Sequence, residues 1–321
     1  MSKTLDFRPH FLCPGGHLQT LAGFYWPSGL PPYDAEQILI ECEDGDHVAL
    51  HDDRPAAWKD SDQVVLMLHG LAGCHGSAYM VRLAWLLTEL GIRVFRMDMR
   101  GTGAATGKAK LPGHAGRTED AAAAILRIEK ICPQAPLTLV GFSMGGNIAL
   151  GTLANASRQP IGNLQRGIAV SPPVDLSRCC RELRSGLGHF YDKYLVRHLL
   201  QRWRATGGSL YGSNPRSIYE FDDHVTAPSS GYRDAEDYYA NCSSGPRLKD
   251  ITLPTKILAA KDDPVVAFSA IQSATRSSSV ELFVTETGGH LGFFGNNSEG
   301  TLEDRRWMDW QLASWITSAR H

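Results

Sequence analysis

The sequence has few of the features that mark membrane, secreted or nucleic-acid-binding proteins. Its net charge is only −2 over 321 residues, so no excess of one sign points to nucleic acid or an anionic membrane as a partner. No apolar run approaches the ~20 residues of a membrane span, and the first ten residues lack the apolar core of a signal peptide. No internal repeat or low-complexity linker is present. We therefore expect a cytoplasmic globular protein without a transmembrane segment or a nucleic-acid partner.

Cysteine and histidine usage gives little sign of disulfides or metals. The seven cysteines are odd in number and scattered, which favours reduced thiols. The adjacent pair Cys179 and Cys180 could form a vicinal disulfide, but we expect two plain thiols in a cytoplasmic protein. His69 and His75 suggest a metal site, yet no acid or cysteine cluster at ligand spacing accompanies them. We predict neither a metal nor a cofactor.

The most informative stretch contains Gly141-Phe-Ser-Met-Gly145. The apolar, β-favouring residues 137–140 precede it, and residues at helical spacing follow it up to Leu153. A Gly-x-Ser-x-Gly between a buried strand and a helix is the nucleophile elbow of α/β-hydrolases. At either flanking glycine a side chain would clash with the strand or the helix. Because the pattern is short, a glycine-rich turn with an unreactive serine is the alternative.

Strand and helix patterns alternate around this stretch, beginning with a hairpin at an Asp-Gly turn. The order of the elements predicts an α/β fold with a mostly parallel twisted sheet flanked by helices. Together with the nucleophile elbow, it leads us to expect the α/β-hydrolase fold. The predicted strands are 37–42, 47–51, 64–68, 93–97, 137–140, 167–170, 255–260 and 280–284, and the predicted helices are 78–90, 118–131 (capped by Thr118), 147–153, 267–275 and 308–316.

The alternation stops between Ser171 and Leu253, and an interruption of about eighty residues is too long for a loop. We predict that 172–252 form a cap inserted over the carboxyl ends of the strands, with one or two amphipathic helices and then a polar, aromatic stretch. Residues 1–36 lack periodicity and predict an irregular arm packed on the core, in which His17 is structural. The core then consists of 37–171 and 253–321.

A serine nucleophile needs a base within hydrogen-bond reach and an acid that holds the base. In this fold the acid and then the histidine follow later strands. His290 comes after the strand 280–284, between glycines that let its loop bend. Asp262 and Asp263 both follow the strand 255–260. We choose Asp263 because a proline and a short apolar run follow it, and Asp262 stays as the alternative.

The oxyanion of a tetrahedral intermediate needs two backbone donors. Met144, directly after the serine, supplies one, and Leu71 in the glycine-containing loop after 64–68 is predicted to supply the other. The apolar and aromatic residues of the cap suggest an acyl pocket above Ser143. Besides a role in shaping the oxyanion loop, His69 is also a candidate for this pocket. The candidate pocket residues are His69, Phe190, Tyr194 and Trp203.

The chain resembles the AB-hydrolase 4 family, the YheT-like branch of the α/β-hydrolases. The resemblance covers nearly the whole sequence, with Ser230 as a departure where histidine would be expected. It implies carboxylic-ester hydrolysis by Ser143, Asp263 and His290, and the branch is linked to short-chain carboxylesterase and acylglycerol or phospholipid lipase activities. The matching segments are His69–Gly73, Gly141–Asn147, Lys261–Pro264 and Gly288–His290, with Gly16–Thr20, Glu220–Asp223 and Gly231–Tyr239 as the parts that generic hydrolases lack.

Together these features predict a serine esterase acting on short- to medium-chain acyl esters, acylglycerols included, through an acyl-enzyme. The expected partner is thus a small ester or a lipid-like substrate. A thioesterase or acyltransferase could use the same triad, because an acyl-enzyme can pass its acyl group to acceptors other than water. A non-catalytic ligand-binding protein is the alternative from another class, and the complete serine, acid and histidine set argues against it. The sequence leaves the oligomeric state open.

Overall fold

A computed structural model describes residues 2–27, 29, 34–210, 212–300, 302 and 304–318. Parts of the predicted arm (1, 28 and 30–33), residue 211 of the predicted cap and parts of the predicted core (301, 303 and 319–321) lie outside the described residues. The strands are β1 (Ser2–Thr4), β2 (Arg8–Pro9), β3 (Glu36–Glu41), β4 (His47–Asp53), β5 (Val64–Leu68), β6 (Arg93–Asp98), β7 (Leu137–Phe142), β8 (Leu164–Val170), β9 (Thr255–Ala260), β10 (Val280–Thr285) and β11 (Gly295–Asn296). The α-helices are α1 (Gly16–Tyr25), α2 (Ala78–Glu89), α3 (Thr118–Ile131), α4 (Met144–Arg158), α5 (Leu176–Leu183), α6 (Gly188–Ala205), α7 (Ile218–Phe221), α8 (Ala227–Ser229), α9 (Ala235–Cys242), α10 (Phe268–Ser273) and α11 (Trp307–Thr317).

Nine of the described strands form one twisted sheet in the order β1-β10-β9-β8-β7-β5-β6-β4-β3. β4 runs antiparallel to both β3 and β6, and the other neighbouring strands are parallel. The central strands β5, β6 and β7 are buried along their whole length. The apolar sequence of β5 fits this burial, whereas Arg93 and Arg96 of β6 are buried in ion pairs with Asp52 and Asp53. The predicted α/β fold with a mostly parallel sheet is confirmed.

Helices cover both faces of the sheet, so two apolar cores flank it. Successive strand residues point to opposite faces, and Val65 and Leu66 of β5 accordingly belong to different cores. Leu83 of α2 and Leu312 of α11 pack on the side of Val65. Ile125 of α3 packs on the side of Leu66, together with α4 and α10. Because the strands from β10 to β6 run parallel to one another, their carboxyl ends meet at one edge of the sheet. Sheets of α/β proteins place their functional sites at this edge.

The start of α3 differs from the prediction. Thr118 is its first residue, and the preceding Arg117 makes no side-chain capping bond. The Thr118 hydroxyl instead accepts a hydrogen bond of 3.1 Å from the Asn155 side chain of α4. The hydroxyl is thus used to join two helices, and acids in the first turn, Glu119 and Asp120, remain to favour the positive end of α3.

The N-terminal arm is more regular than predicted. β1 extends the sheet by pairing parallel to β10, and α1 forms a helix of ten residues. The sequence hides this helix because it buries only Gln19 and Ala22, while apolar residues such as Phe24 stay exposed. The Gln19 amide anchors α1 instead, donating to the carbonyls of Cys13 and Phe294 at 2.6 and 2.9 Å. Periodicity of apolar residues does not detect a helix held by a buried amide.

The cap contains the predicted amphipathic helices, α5 and α6. The polar, aromatic stretch after them is also helical, since it holds α7, a π-helical turn (Asp222–Thr226), α8 and α9. Three helices of the inserted cap, α5, α7 and α9, begin at a residue whose side chain caps the helix N-terminus. Asp175, Ser217 and Asp234 each accept a hydrogen bond from the backbone N–H three residues on. The helices α7, α8 and α9 are too short for apolar periodicity to reveal them.

Asn147 connects the helix of the elbow to the cap. Its side-chain nitrogen donates to the carbonyls of Ala115 and Cys242 at 3.0 and 2.8 Å. Its oxygen accepts from the backbone N–H of Ser244 at 3.0 Å. Asn147 lies four residues after Ser143. Its buried amide therefore fixes the end of the cap on the core close to the elbow.

None of the helices in the described part of the chain is long and apolar enough to span a membrane. All seven cysteines are free thiols, and all except Cys74 are buried. Cys179 and Cys180 are therefore two separate thiols. Burial raises the pKa of Cys179 to about 12, so the thiol stays protonated at neutral pH.

Candidate active site

Ser143 lies on the turn between β7 and α4 with a strained backbone, at φ 51° and ψ −120°. The flanking glycines make this turn possible. A Cβ at Gly141 would lie 2.2 Å from the carbonyl oxygen of Gly145, and one at Gly145 would lie 2.4 Å from that of Leu68. Strand and helix thus approach too closely for any side chain at these positions, and the turn holds the serine hydroxyl above the sheet edge.

The structure brings Ser143, His290 and Asp263 together in one hydrogen-bonded line. His290 Nε2 lies 2.9 Å from Ser143 Oγ, and His290 Nδ1 lies 2.9 Å from Asp263 Oδ2. The other Asp263 oxygen accepts from the backbone N–H groups of Val265 and Val266 at 2.8 and 2.9 Å. These bonds fix the carboxylate plane, and the carboxylate in turn favours the imidazole tautomer with hydrogen on Nδ1.

Asp262 faces away from the imidazole. Its Oδ1 accepts a hydrogen bond of 2.9 Å from the backbone N–H of Gly289. Burial raises the pKa of Asp262 above its ordinary value, against backbone hydrogen bonds that lower it. Gly288 and Gly289 have φ of 155° and 59°, which lets the loop bend around this carboxylate. Asp262 therefore supports the loop of His290, and Asp263 is the residue that contacts the ring.

The arm contributes a contact that sequence reasoning missed. Thr20 Oγ1 accepts from the backbone N–H of His290 at 2.9 Å and donates to the carbonyl of Gly16 at 2.7 Å. His17 Nδ1 lies 3.0 Å from the hydroxyl of Tyr191 in α6, so the expected structural role of His17 is to join arm and cap. The Gly16–Thr20 segment belongs to the family resemblance, but its residue types and spacing do not reveal these partners.

Leu71 and Met144 border the cavity next to Ser143. Neither of their backbone N–H groups donates to another group in the part of the chain that the structure describes. Met144 is also the first residue of α4, where the helix dipole favours negative charge. Arg202 of α6 holds the other side of the loop, donating to the carbonyls of Leu71 and, at 2.7 Å, Gly73. No spacing in the sequence links Arg202 to this loop.

His69 lies behind the oxyanion loop and does not line the large cavity. Its Nδ1 lies 2.7 Å from the carbonyl of Gly70, and its Nε2 accepts from the backbone N–H of Met99 at 3.3 Å. Burial lowers the pKa of His69 to about 4, so the ring is neutral. With Trp203 it borders a separate cavity of only about 30 Å³. This corrects the expectation that His69 and Trp203 would line the substrate pocket.

A cavity of about 380 Å³ opens above Ser143. Its size is that of a small-molecule site. Arm, elbow and cap all contribute to its walls, and most of the side chains in them are apolar. Phe190 and Tyr194 of α6 border it, as expected from the sequence. Further apolar lining residues are Leu21, Phe24, Leu176, Leu183, Leu195, Leu199, Ile218 and Val266.

One group of side chains has the composition of a metal site. The ligand atoms of His51, His75 and Asp98 lie within 4.8 Å of one another. Asp98 Oδ2 accepts from both rings at 2.7 and 3.0 Å, and its carboxylate also accepts from the backbone N–H groups of His75 and Ala104. The spacing of residues in the sequence does not indicate this group, because β4 and β6 bring residues together that are far apart along the chain. Four hydrogen bonds on one carboxylate explain the group as a structural one.

Comparisons with known proteins identify the family of the chain. A family model described as "Serine aminopeptidase, S33" (Hydrolase_4) matches residues 59–294. YheT of Escherichia coli strain K12, an esterase by name, is 32% identical over 99% of this chain and 94% of its own length. Phospholipase ABHD3 of Homo sapiens is 28% identical over 90% of this chain and 74% of its own.

Among solved structures, the esterase Pf2001 of Pyrococcus furiosus has the same fold. It superposes with a TM-score of 0.59 at 16% identity, and the match covers 99% of this chain and 98% of that one. The family model and the near full-length match to YheT show the family of the chain as well as its fold. The chain belongs to the Hydrolase_4 family of α/β-hydrolases, in its YheT-like branch.

Proposed function

We propose that the protein hydrolyses carboxylic esters through an acyl-enzyme on Ser143. The single observation that supports this best is the line of 2.9 Å hydrogen bonds from Ser143 through His290 to Asp263. A hydroxyl in contact with an oriented base is the requirement for a serine nucleophile. Two relatives also bear the names esterase and phospholipase, both of which describe ester cleavage.

In this proposal Ser143 Oγ attacks the ester carbonyl while His290 Nε2 takes its proton. Asp263 keeps hydrogen on Nδ1 and stabilises the imidazolium that forms. His290 then gives the proton to the departing alkoxide, which leaves as the alcohol. In the second half, the same Nε2 takes a proton from water, the resulting hydroxide attacks the acyl carbon, and Ser143 recovers its proton as the acid leaves.

The negative charge on the carbonyl oxygen is stabilised by the backbone N–H groups of Leu71 and Met144. Loss of one such donor costs roughly 3 kcal/mol of barrier in a related type of site. The Met144 donor also gains from its position at the start of α4. Arg202 fixes the position of Leu71 through its carbonyl, so that this donor needs little reorganisation during the reaction.

The cavity supports a short- to medium-chain acyl group as the substrate, with acylglycerols among the candidates. Its lining is mostly apolar, its volume is about 380 Å³, and the cap covers it. Such a lining binds methylenes and keeps water away from the acyl-enzyme. Thioester hydrolysis and acyl transfer would use the same acyl-enzyme, and product analysis with an added alcohol or thiol acceptor separates them from ester hydrolysis.

Steady-state hydrolysis of p-nitrophenyl butyrate tests the proposal. Ser143→Ala should lower kcat by a factor of about 10⁴ or more, as in other serine hydrolases. Ser171→Ala is the matched control, because Ser171 is a buried serine directly after the next strand, with φ 46° and a hydroxyl that makes no hydrogen bond to any described residue. Equal activity of both variants, or no hydrolysis by the unaltered protein, would contradict the proposal.

A further inference from the structure

The large cavity has an exposed mouth and a buried end, and the buried end is polar. At the mouth, Phe24 is 57% exposed and Phe190 is 69% exposed. At the other end, Asp222, Tyr238 and Tyr239 are only 7%, 4% and 1% exposed, although all of them border the cavity. Neither the triad nor the oxyanion loop involves these three side chains. A carboxyl at the closed end of an apolar cavity is costly unless it is hydrogen-bonded.

Asp222 has two partners in the protein, the hydroxyls of Tyr239 and Thr226, and it also borders the cavity. The Tyr239 hydroxyl donates to Asp222 Oδ2 at 2.8 Å and itself accepts from the Cys180 thiol at 3.2 Å. Burial raises the pKa of Asp222 to about 7, while hydrogen bonds from Thr226 and Tyr239 oppose this rise. The residue begins the π-helical turn Asp222–Thr226, and such turns are frequent at functional sites.

Tyr238 is the second polar group at this end. Its oxygen accepts a hydrogen bond of 2.9 Å from the backbone N–H of Ala115. Within the described part of the chain, no acceptor lies within hydrogen-bond distance of its own proton. Burial and the charge of Asp222 both raise the pKa of Tyr238, so the phenol keeps its proton. Its ring centroid lies 5.2 Å from that of Tyr239, the hydrogen-bond partner of Asp222, and all three side chains border the cavity. Asn147 of α4 donates to the carbonyl of the same Ala115, which ties this end to the helix that starts after Ser143.

We propose that Asp222 and Tyr238 bind a hydroxyl group of the ester substrate. The Tyr238 hydroxyl donates to the oxygen of the bound group, which in turn donates its own proton to the Asp222 carboxyl. A hydroxyl fits because a single atom supplies both the acceptor that Tyr238 lacks and the donor that Asp222 can accept. A plain alkyl chain leaves the Tyr238 proton without an acceptor, and sites of this kind discriminate against analogues without the hydroxyl. The assignment rests on the proposed ester hydrolysis at Ser143.

The competing explanation is that these hydrogen bonds only stiffen the cap. Loss of a purely structural bond would change the hydrolysis of all esters by the same factor. Loss of a bond to the substrate would affect the hydroxylated ester alone. The ratio of kcat/KM for a hydroxylated ester to that for its plain counterpart therefore distinguishes the two roles.

The experiment compares methyl octanoate with methyl ω-hydroxyoctanoate, and includes glyceryl monooctanoate for a hydroxyl on the alcohol part. Tyr238→Phe should lower the kcat/KM ratio about tenfold, the effect of one lost hydrogen bond to a buried group. Tyr232→Phe is its control, since this neighbouring hydroxyl contacts Cys242 and does not border the cavity. Asp222→Asn should lower the ratio as well, with Asp192→Asn as the control, since Asp192 is buried in α6 outside the cavity lining.

The outcomes separate this inference from the proposed function. A fall of the ratio for the ω-hydroxy ester supports a hydroxyl on the acyl chain, and a fall for the glyceryl ester alone supports one on the alcohol. A ratio unchanged in Tyr238→Phe, with methyl octanoate still hydrolysed, overturns the hydroxyl site and leaves the esterase proposal standing. If the unaltered protein hydrolyses none of the esters, both fail. Should Asp222→Asn not fold, Tyr238→Phe decides.

Discussion

Thr20 in the N-terminal arm accepts a hydrogen bond of 2.9 Å from the backbone N–H of His290, which is 270 positions away in the sequence. The same hydroxyl donates to the carbonyl of Gly16 in the preceding turn of α1. The arm therefore holds the loop that carries the proposed general base. Thr20 touches no reacting atom, and its role is to position His290.

Thr20→Val should lower kcat about fivefold and leave KM nearly unchanged, because one hydrogen bond of about 1 kcal/mol is lost from the loop of the base. The measurement is kcat and KM with a p-nitrophenyl ester, alongside the melting temperature. Thr152→Val is the matched control, since the hydroxyl of Thr152 is buried in α4 and donates only to the carbonyl of Ile148. The same kcat for both variants would argue against a positioning role.

The two adjacent carboxylates should differ sharply in their effect on the rate. Asp263→Asn removes the acceptor that keeps hydrogen on His290 Nδ1, and kcat should fall by a factor of roughly 10⁴. Asp262→Asn should cost far less, since this side chain contacts only the backbone of the loop. Stopped-flow or steady-state kinetics of both variants decide between them. The opposite ranking would transfer the orienting role to Asp262.

Sequence patterns were sufficient to select Ser143, Asp263 and His290, three residues that lie in one hydrogen-bonded line in the structure. A nucleophile elbow needs its glycines for steric reasons, and the acid and histidine must follow the ends of later strands, so local patterns reveal them. Thr20 and Arg202 could not be found in this way. Each bonds to the backbone of a loop far away in the sequence, and a backbone partner leaves no trace in residue type or spacing.

The same limits explain the errors in the pocket and the arm. His69 and Trp203 are of the residue types that line pockets, but the fold turns them toward a smaller cavity. The helix α1 went unpredicted because the buried Gln19 amide, and not an apolar stripe, attaches it. The sheet, in contrast, followed directly from its continuous apolar strands such as β5, since burial on both faces requires that composition.

Acid should destabilise the protein partly through His69. Burial lowers its folded pKa to about 4 from an ordinary value of 6.5, so the unfolded chain takes up this proton first as the pH falls. The free energy of unfolding should then drop by about 1.4 kcal/mol for each pH unit within that window. Urea denaturation should show a shallower drop in His69→Asn than in the unaltered protein. His224→Asn, at an exposed histidine of the cap, should keep the full slope, and equal slopes in all three proteins would contradict a buried neutral His69.

The cap should determine which acyl-chain length gives the highest kcat/KM. Each buried methylene adds about 0.8 kcal/mol, roughly fourfold in kcat/KM, until the cavity is full. Across p-nitrophenyl esters from acetate to palmitate, we expect kcat/KM to rise to a maximum at short or medium length and then to fall. Tyr194→Ala should move this maximum toward longer chains, and Trp203→Ala should not, because only Tyr194 borders the large cavity. A flat profile that neither substitution changes would exclude contact between the cap and the acyl group.

The covalent step at Ser143 is the central claim, and trapping it is the most direct test. Incubation with a fluorophosphonate, followed by intact mass measurement and peptide mapping, should give a single adduct on Ser143. The adduct should be absent from Ser143→Ala and reduced in Asp263→Asn, whose imidazole is no longer oriented to activate the hydroxyl. Labelling that persists in Ser143→Ala, for instance on the half-exposed thiol of Cys74, with no adduct on Ser143 in the unaltered protein, would contradict the account.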